Sequence, residues 1–247
     1  MNESVIIFII VGFFAQIIDG ALGMAYGVSS TTFLLSIGIS PVGASASVHV
    51  AEIFISGASA LSHLMFGNVN IKLFKKLLIP GIIGGILGAY VLTVIPGKII
   101  KPFIAIYLLI MGLIILRKAL KKIREEKVKT KLFPLGVVGG FFDAIGGGGW
   151  GPIMTSTLLA RGNNPRFSVG SVNSAEFFVT LAEVAAFFTM IELLQYWQII
   201  FGLIIGGVIA APLSAFICKK LPSRVLMVTI GLIIVGLSLR TLYLALY

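Results

Sequence analysis

Hydrophobic positions in this chain run in long blocks rather than alternating with polar ones. The blocks are 5–19, 27–39, 42–66, 77–95 and 99–117, then, after a charged stretch, 132–145, 151–160, 167–190, 197–218 and 223–246. Apolar blocks of about 18 residues or more read as transmembrane helices. The first two blocks of each set are shorter. Fifteen helical residues rise about 22 Å, less than the roughly 30 Å hydrocarbon core. Each short pair is joined by a glycine-rich turn, residues 20–27 (Gly-Ala-Leu-Gly-Met-Ala-Tyr-Gly) and 146–151 (Gly-Gly-Gly-Gly-Trp-Gly). Glycine is about 1 kcal/mol worse than alanine inside a helix, so these runs break helices. Broken helices at membrane depth survive only where protein or a wet cavity satisfies the freed backbone groups. The pattern predicts an all-α polytopic membrane protein, each half a short broken or re-entrant helix pair plus three full transmembrane helices.

The two sets are copies of each other. Residues 19–64 laid on 143–188 without a gap give 14 identities in 46 positions. Asp19 meets Asp143, Gly23 meets Gly147, Gly27 meets Gly151, Thr31 meets Thr155, Pro41 meets Pro165, and Ala51-Glu52 meets Ala175-Glu176. Chance would give about a third as many in apolar segments, judged from residue frequencies. The acidic matches weigh most, because they use four of only nine Asp and Glu residues. The chain divides into a first membrane repeat, 1–117, a basic linker, 118–131, and a second repeat, 132–247.

Charge sets the orientation. The basic block from Arg117 to Lys131 belongs in the cytoplasm. Counting crossings from there puts 67–76 inside and 191–198, which lacks Lys and Arg, outside. These two loops are equivalents, so the repeats are expected to have inverted topology. Lys98 and Lys101 fall outside, against the rule. Inverted repeats with interrupted helices recur in secondary transporters, with the site near the midplane.

Composition agrees with this class: 58% of residues are hydrophobic and only 11% charged, against about a quarter charged in soluble domains. The net charge of +10 does not indicate nucleic acid, since the basic residues lie between apolar blocks as topology signals and lipid-headgroup contacts. The partners expected are membrane lipids and a small solute, with no nucleic acid and with a homo-oligomer left open. The start of the chain carries Glu3 and no basic n-region, so it does not read as a cleavable signal peptide. The single Cys218 excludes an internal disulfide.

Ionisable residues inside the blocks are read as Asp19, His49, Glu52, His63, Asp143, Glu176 and Glu183, with no Lys or Arg in the core spans. Each is costly in lipid and should face a cavity or a partner. Ser45, His49, Glu52, Ser56 and His63 fall on one helical face, as do Asn173, Glu176, Thr180 and Glu183 on the equivalent helix. The two stripes either line a central cavity or bond the bundle together. His49 stands opposite Asn173 in the alignment and could contact solute or carry a proton. Pro152 at the start of 151–160 suits a first helical turn, so the N–H groups of Gly146, Gly147, Gly148, Gly149, Trp150 and Gly151 could face an oxyanion at a helix N-terminus. Gly23 and Gly27 offer a weaker version. The same glycines would equally let helices pack closely. Thr31 and Thr155 could add hydroxyl donors. Asp19 and Asp143 precede the breaks, either to cap the next turn or to exchange protons. Glu52 and Glu176, in a poorly solvated cavity, could couple transport to protons. No metal site or cofactor is expected from ligand spacing.

The stretch Asp143–Pro152 and the sequence Gly-Ser-Val-Asn-Ser-Ala-Glu (170–176) resemble the sulfite exporter TauE/SafE family over nearly the whole chain. The first-repeat motif is degenerate, with Met24 and Ala25 in place of glycines. The resemblance implies secondary transport of a sulfur-containing anion, such as sulfite, thiosulfate or an organosulfonate, across a prokaryotic cytoplasmic membrane, with linker 118–131 cytoplasmic. On that reading Gly146–Gly151 and Gly23–Gly27 hold the oxyanion, Asn173, Ser171 and His49 donate hydrogen bonds, and Glu52 and Glu176 handle protons. A cation/proton exchanger using the paired carboxylates is the alternative. An intramembrane aspartyl enzyme built on Asp19 and Asp143 is disfavoured by the glycine patterns around them.

Overall fold

The computed structural model describes residues 3–22, 25–120, 131–161, 163–220 and 223–246; residues 121–130 of the linker, together with Gly23, lie outside them. Among the described residues ten α-helices follow one another: α1 (Glu3–Leu22), α2 (Tyr26–Ser36), α3 (Pro41–Met65), α4 (Ile71–Val94), α5 (Gly97–Leu120), α6 (Leu132–Gly146), α7 (Trp150–Ala160), α8 (Pro165–Met190), α9 (Trp197–Lys220) and α10 (Ser223–Leu246). A short 3-10 turn, Leu193–Tyr196, precedes α9. Six helices, α3–α5 and α8–α10, are long and apolar enough to cross a membrane, three in each half. The protein is a multi-pass, all-α membrane protein. The blocks predict the elements well, although α1 extends beyond 5–19 and α4 begins at Ile71, where the Asn70 side chain accepts from the N–H groups of Lys72 and Leu73.

Matching positions start the long helices in the same way. Ser40 caps α3 by accepting from the Gly43 N–H at 3.1 Å, and Pro41 opens the helix. Asn164 does the same for α8 through Phe167, followed by Pro165. Proline at the first helical position removes an N–H that has no intrahelical partner anyway.

Packing repeats between halves. α1 lies mainly on α9, and α6 on α4, its counterpart pair; α3 packs on α8 and α5 on α10. Along α3 and α8 the contacts run in opposite order: His49 meets Glu183, Gly57 faces Phe177, and Ser59 bonds Asn173. These equivalent helices are antiparallel, and α5 and α10 likewise, with Gly112 beside Ile234 and Leu116 beside Gly231. Backbones approach closely at α4–α6, where a Cβ on Gly88 would sit 3.0 Å from the Ala144 Cβ and one on Gly136 2.7 Å from Pro80. In lipid, such small-residue contacts replace the missing hydrophobic drive between helices.

The short pairs are hairpins. Val5, near the start of α1, lies beside Gly202 near the start of α9. Ser40, just after α2, meets the Tyr196 hydroxyl, just before α9, at 3.3 Å. Both ends of α1–α2 therefore lie at one face. The α6–α7 pair has its ends at the start of α4: Gly136 faces Pro80, and Ser171 near the start of α8 bonds the Asn70 N–H at 2.9 Å.

Candidate functional site

The two hairpin tips meet in the interior. A Cβ on Gly27 would lie 2.6 Å from the Gly147 carbonyl oxygen and 2.8 Å from Glu52 Oε1, so only a glycine lets the tips touch. The Thr31 hydroxyl of the first hairpin donates to the Gly147 carbonyl of the second at 2.8 Å. The turn itself needs left-handed backbone at Gly147 (φ 62°) and Gly148 (φ 143°), which side chains resist. In the first repeat the break instead places Ala25 at φ 113°, a conformation that costs a non-glycine residue about 1–3 kcal/mol.

The aspartates hold these turns. Asp143 Oδ1 accepts from the N–H groups of Gly149 (2.6 Å) and Trp150 (2.9 Å), and its carbonyl accepts from Gly148. Asp19 Oδ1 accepts from Tyr26, the residue equivalent to Trp150, at 3.3 Å. Both aspartates thus accept backbone N–H groups from the far side of their breaks. The N–H groups of Gly149 and Trp150, expected to face an oxyanion, are taken by Asp143 in this conformation.

Between the tips lies a small cavity lined by Asp19, Ala25, Tyr26, Gly27, Val28, Glu52, Gly148, Gly149, Gly151, Pro152 and Glu176. Most of this lining comes as equivalent pairs: Gly27 with Gly151, Ala25 with Gly149, Val28 with Pro152, and Glu52 with Glu176. Its room for the centre of a water-sized molecule is about 10 Å³, about the space of one water. Three carboxylates and the N-terminal ends of α2 and α7 face it, and none of the lining residues is Lys or Arg.

Other expected site residues lie elsewhere. Ser171 fastens the turn before α4 through both polar groups of the Asn70 backbone. Asn173 donates to Ser59 at 3.1 Å. Gly146 packs under the Tyr107 ring, and Trp150, fully buried, donates its indole N–H to the Val172 carbonyl at 3.0 Å. Thr155 is buried on α7, outside the cavity lining. None of these side chains reaches the cavity, because helix rotation turns them to neighbouring helices.

His49 also lies off the cavity, in a buried cluster with Asp143 and Glu183. Its Nε2 is 2.8 Å from Glu183 Oε2 and 3.8 Å from Asp143 Oδ2. The donor atoms of these three converge within 4.8 Å, the one such group among the described residues. A tetrahedral metal with bonds near 2.0–2.1 Å would hold its ligand atoms about 3.3 Å apart; the His49–Glu183 contact is closer, at 2.8 Å.

Sequence reasoning overlooked Tyr26, whose bulk lines the cavity while its hydroxyl donates to the Leu203 carbonyl at 3.2 Å. It also placed no basic residue in the spans, which the structure corrects. Arg240 lies within α10, and its guanidinium donates to the Ser36 carbonyl at the end of α2. Its position in a hydrophobic block, near the block's end, was the available signal.

The family described as Sulfite exporter TauE/SafE matches residues 8–241. The chain is 42% identical to the "Probable membrane transporter protein YtnM" of Bacillus subtilis (strain 168), over 97% of this chain and 83% of that protein. It is 27% identical to the "Probable membrane transporter protein ORF9" of Sinorhizobium sp, over 58% of this chain and 56% of that protein. No solved structure matches.

Proposed function

Because the chain belongs to the sulfite exporter TauE/SafE family and is a membrane transporter rather than an enzyme, we propose that it moves a small sulfur oxyanion across the cell membrane by alternating access, together with protons. The observation that carries this reading is the shared cavity, where the starts of α2 and α7 and both Glu52 and Glu176 meet.

Helix N-termini carry roughly half a positive charge each and favour an anion. The N–H groups of Gly27 and Gly151, equivalent residues on the first turns of α2 and α7, are the pair offered to the oxyanion. Beside three carboxylates, an anion meets strong repulsion: about 4 kcal/mol for each unit charge at about 4 Å with an effective dielectric near 20. Protons on Glu52 and Glu176 remove that repulsion, so anion and protons occupy the cavity together. The halves act as inverted repeats, a reading supported by the antiparallel course of α3 and α8 and of α5 and α10. Rocking of one hairpin against the other then opens the cavity to each side in turn. Its present size, about one water, makes such widening a requirement. Linker 118–131 is placed in the cytoplasm by its basic residues.

A second reading, cation/proton exchange, is favoured by the same three carboxylates and by a lining without Lys or Arg. Proteoliposome flux separates the two. Labelled sulfite or thiosulfate should accumulate faster with an imposed pH gradient, and Glu52→Gln with Glu176→Gln should abolish that dependence. Movement of Na⁺ or Ca²⁺ with no movement of either oxyanion overturns the anion reading.

A further inference from the structure

Both nitrogens of the buried His49 ring meet polar atoms, and Nδ1 lies 3.3 Å from the Ser45 hydroxyl oxygen, which gives its own hydrogen to the Ala144 carbonyl. Nδ1 lies 2.7 Å from the Ser45 carbonyl oxygen. A carbonyl can only accept, so Nδ1 carries the hydrogen. Nε2 lies 2.8 Å from Glu183 Oε2. With Nδ1 as donor, neutral imidazole presents a lone pair at Nε2, and an ionised Glu183 would present another. An ionised carboxylate against a neutral imidazole is costly when both are fully buried, so the pair holds one proton more than that, as imidazolium–carboxylate or as imidazole–carboxylic acid. Both side chains are fully buried. His49 Nε2, Asp143 Oδ2 and both Glu183 oxygens are buried, and none of them makes an aligned hydrogen bond among the described residues, so the 2.8 Å approach is a close contact between two buried ionisable groups with nothing else to neutralise them.

The duplicated partner of this contact is different in kind. His49 is equivalent to Asn173, and Glu183 to Ser59, and these two also touch, at 3.1 Å. The same α3–α8 contact is therefore made twice, once through a proton and once through an ordinary amide–hydroxyl hydrogen bond. We infer that His49 and Glu183 form a proton-binding site, separate from the cavity glutamates, that fastens α3 to α8 on one side of the duplicated fold only.

Loss of the proton leaves neutral imidazole facing carboxylate, and the contact parts. Asp143 Oδ2, 3.8 Å from Nε2, is the next acceptor in line, and its other oxygen holds the Gly149 N–H at the cavity rim. The titratable groups facing the pair are Asp143 from α6 and Glu52 from α3 itself; α4 presents Gly85, and α5 presents Tyr107 against Gly146 and Gly149 of the turn after Asp143. Proton release at this site thus loosens α3 from α8 and frees Asp143 to shift the glycine turn. The Asn173–Ser59 side does not respond to protons, which makes the two halves of the transport cycle unequal.

The chain has two histidines, so replacing His63 with Gln leaves His49 as the one imidazole signal. ¹⁵N-histidine NMR of the full-length His63→Gln protein in lipid nanodiscs, titrated without any solute, reads the site directly. The expected result is an Nε2 resonance that moves with pH while Nδ1 stays protonated. Adding Glu183→Gln, whose amide N–H can still donate to Nε2, should shift that titration or abolish it. Moving the partner pair across, as His49→Asn with Glu183→Ser, should keep the chain folded, because the same pair already fits at the equivalent position. It should also remove one proton from the uptake measured by titration. An Nε2 signal that ignores pH, or one unchanged by Glu183→Gln, overturns the inference. Because no solute is present, the outcome is independent of which ion the cavity carries.

Discussion

The closest approach of the two hairpin tips gives the sharpest test of the site's construction. Replacing Gly27 with Ala puts a methyl carbon 2.5 Å from Gly148 Cα and 2.6 Å from the Gly147 carbonyl. Carbon atoms pack at about 3.5–4.0 Å, so the tips must part by about 1 Å. The obstructing atoms are backbone, fixed by the Asp143 bonds to Gly149 and Trp150, and cannot rotate aside as a side chain would. Overpacking of this kind costs about 1–3 kcal/mol. Parting the tips also stretches the Thr31–Gly147 bond, adding about 1 kcal/mol. The sum, about 2–4 kcal/mol, should lower the melting temperature of purified protein by several degrees, at about 2–4 °C per kcal/mol for a chain of this length. Transport should fall as well, since the cavity is displaced. Gly236→Ala is the control: nothing lies within 4 Å of its added carbon, and stability should rise by up to about 1 kcal/mol, since alanine is the better helix former. A Gly27→Ala protein that melts and transports like the wild type would refute the tip-to-tip geometry.

Three further outcomes follow from the same contacts. Asp143→Ala should destabilise by about 1–2 kcal/mol, more than Asp19→Ala, because Asp143 Oδ1 holds two N–H groups within 2.9 Å whereas Asp19 holds one at 3.3 Å; thermal melts of both variants decide it, and equal losses would contradict the assigned capping. Ala25→Gly should relieve the φ 113° backbone and raise stability by about 1 kcal/mol, unless unfolded-state entropy cancels the gain, a balance that Ala25→Ser, which keeps the strain, would expose. Arg240→Gln should loosen the end of α2, read as faster hydrogen exchange at Ile37 and Gly38, with Arg240→Lys restoring protection only in part because a lysine reproduces the charge but not the planar fork.

Much of the site was legible because its signals are local. Asp19, Gly27 and Tyr26 stand at fixed distances along one break, and Asp143, Gly151 and Trp150 repeat them. The duplication therefore pointed to Glu52 and Glu176 as partners before any contact was known. His49 and Glu183 were each visible as costly intramembrane residues, but their meeting was not. It depends on the rotation of α3 against α8 and on Gly85, whose lack of a side chain leaves room for the Glu183 carboxylate. Ser171 and Asn173 lie off the cavity for the same reason. Their place beside Glu176 on the helix suggested the cavity, whereas rotation turned them to Asn70 and Ser59.

Sequence alone determined the membrane class, the ten helices, the two breaks and the doubling, because span length, glycine content and proline placement act within a few residues of themselves. Tertiary structure decided which backbone N–H groups the aspartates consume, which carboxylates reach the cavity, and which side chain shares its proton. Those outcomes turn on angstrom-scale approach between distant segments, and hydrophobic pattern fixes a helix's presence more firmly than its rotation about its own axis.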